Sequence, residues 1–422
     1  MKKLCTLLVL FLTVLIIGQE NNDWKISGQI QIRGEMDGRD FSNKTYPPLF
    51  TTMRSRASVE KGIGDNFNFM FQLQDSRTWG QTGSPTAYTD NIDLHQAYIV
   101  LKDLFEIPFK LQLGRFEMKY GTERFIGTSS WALIGRTFDG VRLSFGKEIK
   151  LDVFAVTITD TSMLIKNIVS KNAVPSIYRY PSVSDHGYNT FGAWINGNMN
   201  PENSYDLFGY YEWNRNSTNG KDDDLNRMTV GINHLGKYGS VSTVVEAAYQ
   251  LGKLVGMDIS AYLVSAQANL SMNSFKVGLG ADIISGTELT EKEKNYSFVT
   301  SYGTSHKYLG YMDYFFKSQS NIKGIGLNDF YFMSEYAPKE SKWNASLNIH
   351  HFMSNQKGTD DLNVFGQEFD LTVKYLFTKG VTLSWGGSIF LPGDLMKTYF
   401  KVGSVERNDP AFWSYLMASV NI

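Results

Sequence analysis

Residues 66–76 read NFNFMFQLQDS. Phe67, Phe69, Phe71 and Leu73 alternate with Asn68, Gln72 and Gln74. Successive side chains of a strand leave opposite faces, so this stretch carries one apolar face and one polar face. A single strand of this kind also fits a half-buried sheet in a water-soluble protein. Recurrence decides the fold. Ser27, Gln29, Gln31 and Arg33 oppose Ile26, Ile30 and Ile32, and Arg54, Arg56, Ser58 and Glu60 oppose Met53, Ala57 and Val59. Ser242, Glu246 and Gln250 oppose Val241, Val245, Ala247 and Tyr249, while Lys276 and Asp282 oppose Phe275, Val277, Leu279 and Ile283. Glu368, Asp370, Thr372 and Lys374 oppose Phe369, Leu371, Val373, Tyr375 and Phe377. Charges sit in the middle of the polar face, where a closed soluble core would be apolar. A water-filled lumen accommodates them.

Segments of this type fall near 24–33, 52–61, 66–76, 93–102, 108–116, 137–145, 149–158, 187–197, 203–213, 225–235, 240–250, 257–271, 274–284, 325–336, 341–353, 364–377, 380–391 and 411–422. That is about 18 strands, an even number, and most have the ~9–11 residues a tilted strand needs to cross a bilayer. Their connections alternate. Short ones include Gly62–Asp65, Gly146–Glu148 and Thr378–Lys379; long ones include 34–51, 77–92, 117–136, 159–186, 285–324 and 392–410. Only 251–256 breaks the trend. Outer-membrane barrels sort their loops in this way, with short periplasmic turns and long outer loops, so both termini are expected in the periplasm. Two segments resist the pattern: Asp206–Trp213 is aromatic on both faces and Leu151–Ile158 apolar on both, as expected where packed loops or a neighbouring subunit cover the inner or outer face.

Composition agrees. Aromatics make up 14% of the 422 residues, Gly is abundant (38) and Pro sparse (10), yet the mean hydropathy is only −0.25. A helical membrane protein would be far more apolar, and no stretch after the first 19 residues approaches the ~18 apolar residues of a helical span. Residues 1–19 read as a secretory signal peptide: Lys2 and Lys3, an apolar run from Leu4 to Ile17, then Gly18. Residues 20–422 are then the barrel. The single cysteine, Cys5, lies in the segment to be removed. A net charge of −1 offers no field for nucleic acid.

Several short motifs occur in order: FQLQDSR at 71–77, DLHQAY at 93–98, LGRFE at 113–117, IGRTFDGVRL at 134–143, GYMDY at 310–314, GLNDF at 326–330 and LPGD at 391–394. Together they resemble the alginate-export family of outer-membrane barrels, over nearly the whole mature chain. The resemblance implies an 18-stranded barrel whose lumen passes anionic polyuronate. It also implies a plug on a long periplasmic turn, whereas no turn here exceeds about five residues.

Nine of the 13 arginines precede residue 146. Alternation puts Arg33, Arg54, Arg56, Arg142 and Lys110 on the polar face; Arg77, Arg124 and Arg136 complete the set of candidate lumen cations. Two readings stay open. Guanidinium groups in a channel select anions by pairing with carboxylate or phosphate. Alternatively they brace the barrel, with Glu60, Glu117, Glu123 and Asp139 as partners. Arg115 falls on the apolar face, which calls for a bulge or an early strand end. The loop Glu117–Arg136 is the candidate constriction if it folds into the lumen; a surface cap is the equal alternative.

No cofactor or metal is implied. His350 and His351 are adjacent on a strand and point to opposite faces, and Asp222, Asp223 and Asp224 lack the spacing of a calcium loop. The function expected is a channel for small or polymeric anionic solutes, embedded in outer-membrane lipid. A plugged receptor or adhesion barrel is the alternative. A lipid hydrolase would need a Ser–His pair near the rim, and His95, His186, His234, His306, His350 and His351 lie in no nucleophile motif.

Overall fold

The computed structural model describes residues 24–84, 91–159, 187–215, 225–315, 322–399 and 408–422. The expected signal peptide, the Asp222–Asp224 run and His186 lie outside them.

Alternating sequence becomes a single antiparallel meander. The strands are β1 (Trp24–Gly38), β2 (Leu49–Ile63), β3 (Phe67–Thr78), β4 (Ile92–Lys102), β5 (Phe109–Phe116), β6 (Phe138–Phe145), β7 (Lys150–Thr159), β8 (Tyr188–Asn200) and β9 (Asn203–Asn214). They continue as β10 (Leu225–Tyr238), β11 (Val241–Leu254), β12 (Met257–Met272), β13 (Phe275–Ile284), β14 (Lys294–Asn295), β15 (Leu327–Tyr336), β16 (Trp343–Met353), β17 (Val364–Thr378), β18 (Val381–Pro392) and β19 (Ala411–Asn421). β14 is two residues long and lies parallel to β12 inside a loop. The other 18 strands form the closed barrel, each hydrogen-bonded to its sequence neighbours. Closure joins β1 to β19, from Gln29 opposite Asn421 to Gly38 opposite Phe412. It is sealed by Gly28 N donating to Ile422 O at 3.1 Å and Ile422 N to Gly28 O at 2.9 Å. Among the described residues each of the 18 barrel strands is paired on both sides, the condition for backbone to cross a bilayer.

The polarity of the wall is inverted relative to a soluble protein. Leu279 and Leu416 are 67% and 66% exposed on the outside, whereas Glu246 and Asp282 are each 1% exposed inside. An apolar outer band and a polar lumen suit lipid outside and water inside. The strands apolar on both faces are explained by inward loops. Phe154 and Trp194 stack on Tyr120 at 6.0 and 4.8 Å, and Phe208 packs on Phe125 at 4.7 Å.

One end of the barrel carries tight turns, the other long loops. The exception at 251–256 is real: β11 runs into β12 through Val255 and Gly256 alone, with φ of 49° and 84°. Two positive φ values make the tight hairpin turn whose twist matches the strands. β1 and β2 also extend past their expected ends, shortening the first loop to 39–48. The buried Arg33–Glu35 pair, 2.8 Å apart, explains it: alternation continues beyond Arg33 with charges the lumen accepts. No register shift occurs at Arg115, the expected place of a bulge or an early strand end; β5 pairs with β4 through Arg115 and with β6 through Phe116, where it ends. The bulge lies on β4, where Gln72 faces Gln96 and Leu73 faces Leu94, leaving His95 as the extra residue.

Candidate lumen site and its loops

The loop after β5 enters the barrel and crosses it. LGRFE ends on Glu117, which accepts from His95 Nε2 at 2.8 Å and lies 3.3 Å from Arg56. The β4 bulge is therefore what aims His95 at the root of the loop. Gly121, at φ +50°, then lies against β9 and β10: a Cβ there would sit 2.5 Å from Asn233 Nδ2 and 2.8 Å from Asp206 Oδ2. Only glycine lets the chain approach the far wall so closely.

The tip of the loop is clamped there. Arg124 Nε donates to Glu246 Oε2 at 2.6 Å, and Nη1 to Asp282 Oδ2 at 2.8 Å; Nη2 reaches Ser265 Oγ at 3.0 Å. Thr122 Oγ1 donates to the other oxygen of Glu246. The guanidinium is covered by the Tyr308 ring, 3.9 Å from its centroid. Burial opposes the charge, but Asp282 and Glu246 outweigh it and hold the Arg124 pKa well above its usual value. Beside it, Glu123 is opposed by burial but drawn below the ordinary carboxylate value by Lys119, at 3.1 Å, and the Thr128 amide.

A second loop, between β13 and β15, completes this inner layer. Ile126 bridges in parallel to Tyr302. Arg136 Nη1 donates to the carbonyls of Gly127, Tyr302 and Gly303, tying the two loops together. GYMDY docks on β17: Met312 N donates to Glu368 at 2.8 Å and Tyr311 N to Asp370 at 3.3 Å.

The return arm of the first loop runs along the β1–β3 wall. Arg33 donates to Trp131 O at 2.9 Å, and its guanidinium lies 4.2 Å from the Trp131 ring centroid. Arg54 donates to Ser130 O and Ala132 O at 3.0 and 2.7 Å, and to the side-chain oxygens of Gln29 and Gln31. No carboxylate lies within 4.0 Å of Arg54 or Arg136 among the described residues. Arg142 donates to Gln112 and lies 3.8 Å from Asp152. Lys110 is exposed on the same inner face as Gln112.

Four expectations need correction. Arg77 is outside the lumen: its register opposite Met53 puts it on the outer face, paired with Asp75. Asp139 does not brace a lumen arginine; it makes a bidentate pair with Arg115 (2.8 and 2.7 Å) on the outer face. That pair, at the end of β5 near the long loops, neutralises a charge that alternation alone left facing lipid. Glu60 pairs with Lys25 at 3.8 Å and Glu123 with Lys119, so of the four acids only Glu117 meets an arginine from inside. The main acidic anchors, Glu246 and Asp282 with Arg124 and Glu212 with Arg227 at 2.7 Å, were missed as partners. Alternation marked Glu246 and Asp282 as inward but carries no information on what lies across a barrel. His350 and His351 do face opposite ways: His350 is buried against Asp329 at 2.8 Å, and His351 bonds Gln367 at 3.0 Å.

The alginate-export family profile matches residues 25–408. No curated protein sequence matches the chain. Among solved structures, OccK5 (OpdH) of Pseudomonas aeruginosa superposes with a TM-score of 0.60 at 10% identity, covering 95% of this chain and 98% of its own. OccK8 (OprE) of Pseudomonas aeruginosa gives 0.58 at 11% identity, with 95% and 98% covered. OccAB4 of Acinetobacter baumannii gives 0.57 at 12%, with 96% and 99% covered. At such identities the likeness is one of fold, the closed porin-type barrel, while the family profile spans most of the sequence. The chain belongs to the alginate-export family and is an 18-stranded channel barrel of the Gram-negative outer membrane.

Proposed function

We propose that this channel is anion-selective and passes carboxylated solutes, small or polymeric, along the β1–β6 wall. The observation that carries the reading is how the charges are spent. Arg54 and Arg136 donate only to neutral oxygens, so their positive charge is not cancelled locally. Across the lumen Glu246 and Asp282 share Arg124, and Glu212 is matched by Arg227. Fixed donors that leave net positive charge along a narrow path favour anions. The same loops that brace the arginines narrow the path, so selection and bracing are two uses of one layer. In this reading the short turns and both termini face the periplasm, and no residue has a catalytic role.

The test is conductance and zero-current potential in a planar bilayer, with and without polyuronate oligomers. Anion selectivity with polyuronate block supports the proposal. A weakly selective conductance without block leaves a general porin with bracing arginines. A silent bilayer favours the plugged receptor or adhesion barrel.

A further inference from the structure

We infer that the short-turn mouth holds a capture collar for a linear polycarboxylate, built from lysines rather than arginines. This rests on the anion-channel reading. Six lysines are exposed on the inner face near that end: Lys25, Lys110, Lys150, Lys237, Lys276 and Lys374. Their orientation follows from register. Lys25 stands opposite Glu60, Lys237 opposite Ser242, Lys276 opposite Ser271 and Lys374 opposite Asn344, all on the parity of the buried lumen residues Arg33, Asn233, Asp282 and Asp370. All lie at or close to the short-turn ends of their strands.

The collar is not an ion-pair ladder. Only Lys25 has a carboxylate within reach, Glu60 at 3.8 Å; the other five have none within 4.0 Å among the described residues. Of the other acids in the band, Asp152 lies 3.8 Å from Arg142 and accepts from Tyr120 OH at 2.8 Å, and Glu335 accepts from Asn344 Nδ2 at 2.6 Å. Lys102 and Lys110 stand directly opposite each other on β4 and β5. Like charges in that position repel; Lys102 turns to Asp65 O at 3.3 Å, and among the described residues Lys110 has no ion-pair partner to account for its place. The turns beyond carry both signs, as in Lys147 with Glu148 and Lys339 with Glu340. The lysine-rich layer, six lysines against Glu60, Asp152, Asp206 and Glu335, begins one step inside the mouth.

Lysine suits capture, as arginine suits the constriction. A hydrated ammonium on a flexible stem attracts without locking geometry, and a chain that must move on needs several weak sites. Above the collar a pocket of ≈ 380 Å³ opens beside Tyr120 and Gly121 of the loop, lined by Lys119 and Lys150 and also by Asp152, Asp206, Asn196 and Ser204. That is within the ~300–1,000 Å³ range of small-ligand sites, room for the leading unit of a sugar-acid chain.

The test uses the full barrel in a planar bilayer, with insertion direction read from protease cleavage of a tag in the 354–363 loop. Oligouronate is added to one side at a time. Wild type is expected to block faster from the short-turn side. In Lys110→Glu/Lys150→Glu/Lys276→Glu/Lys374→Glu that on-rate should fall about tenfold or more at low salt, and the difference should shrink as salt rises. Block from the long-loop side should be unchanged. The four-fold Gln variant, which adds no charge, should fall between, and open-channel conductance certifies that each barrel is folded. Equal block from both sides of wild type, or an unchanged short-turn on-rate in the variants, overturns the collar and leaves the anion channel standing. Cation selectivity with no block from either side overturns both.

Discussion

Arg124 and Arg54 are both deeply buried arginines inside the same barrel, yet they have opposite partners. Arg124 is held by two carboxylates and a serine from β11, β12 and β13. Arg54 is held by two glutamines and two loop carbonyls. The first charge is cancelled and becomes a strut. The second is retained and projects a field. Counting arginines in a lumen therefore says little about selectivity until each partner is known; the neutral oxygens around Arg54 matter as much as its guanidinium.

The sharpest break of this contrast removes the strut. Arg124→Ala strands Glu246 and Asp282 in a buried site, which should cost about 3–5 kcal/mol of loop docking. The loop should leave the far wall, and single-channel conductance should rise with greater current noise. An unchanged conductance would mean the clamp does not shape the path. Gly121→Ala attacks the same docking by sterics. Its φ of +50° and the contacts at 2.5 and 2.8 Å should cost about 1–3 kcal/mol, giving a milder rise in conductance.

Acid tests the clamp through Glu123. Its pKa lies below the ordinary 4.5 in the folded loop. The group therefore binds more protons unfolded than folded as pH falls from above 4.5, and its stabilisation is complete above that value and lost as pH drops through the folded pKa. Melting compared between pH 6 and pH 3 should show wild type losing more than Glu123→Gln; equal losses would remove Glu123 from the account. The smallest effect belongs to the outer face. Arg115→Ala breaks a partly exposed pair worth about 0–1 kcal/mol, and should leave selectivity untouched. A shift in zero-current potential there would show that outer-rim charge contributes to the field.

Much of the barrel was legible because a transmembrane strand obeys one local rule. Phe67 to Ser76 alternates whether or not its neighbours are known, and loop lengths sort themselves by side. The site was less legible for the same reason. Arg77 was counted into the lumen although alternation with Phe71 and Leu73 puts it outside. Arg115 met its partner Asp139 in register on the next strand, a pairing that local alternation does not reveal. Arg124 finds Glu246 and Asp282 across 122 and 158 residues of chain. Such pairs depend on how far a loop reaches into the barrel, and that reach is set by Gly121 and by the His95 bulge, neither of which has a periodic signature. The motifs carried more than their length suggested: LGRFE supplies Glu117, IGRTFDGVRL supplies Arg136 and GYMDY docks the second loop.

The central claim is that uncancelled arginine charge on the β1–β6 wall sets the channel's preference. It is tested most directly by the zero-current potential across a salt gradient, measured for wild type and for Arg54→Gln. The account predicts an anion-selective wild type and a clear shift toward non-selectivity in the variant, at similar conductance. A cation-selective wild type, or a variant with unchanged potential, would contradict it.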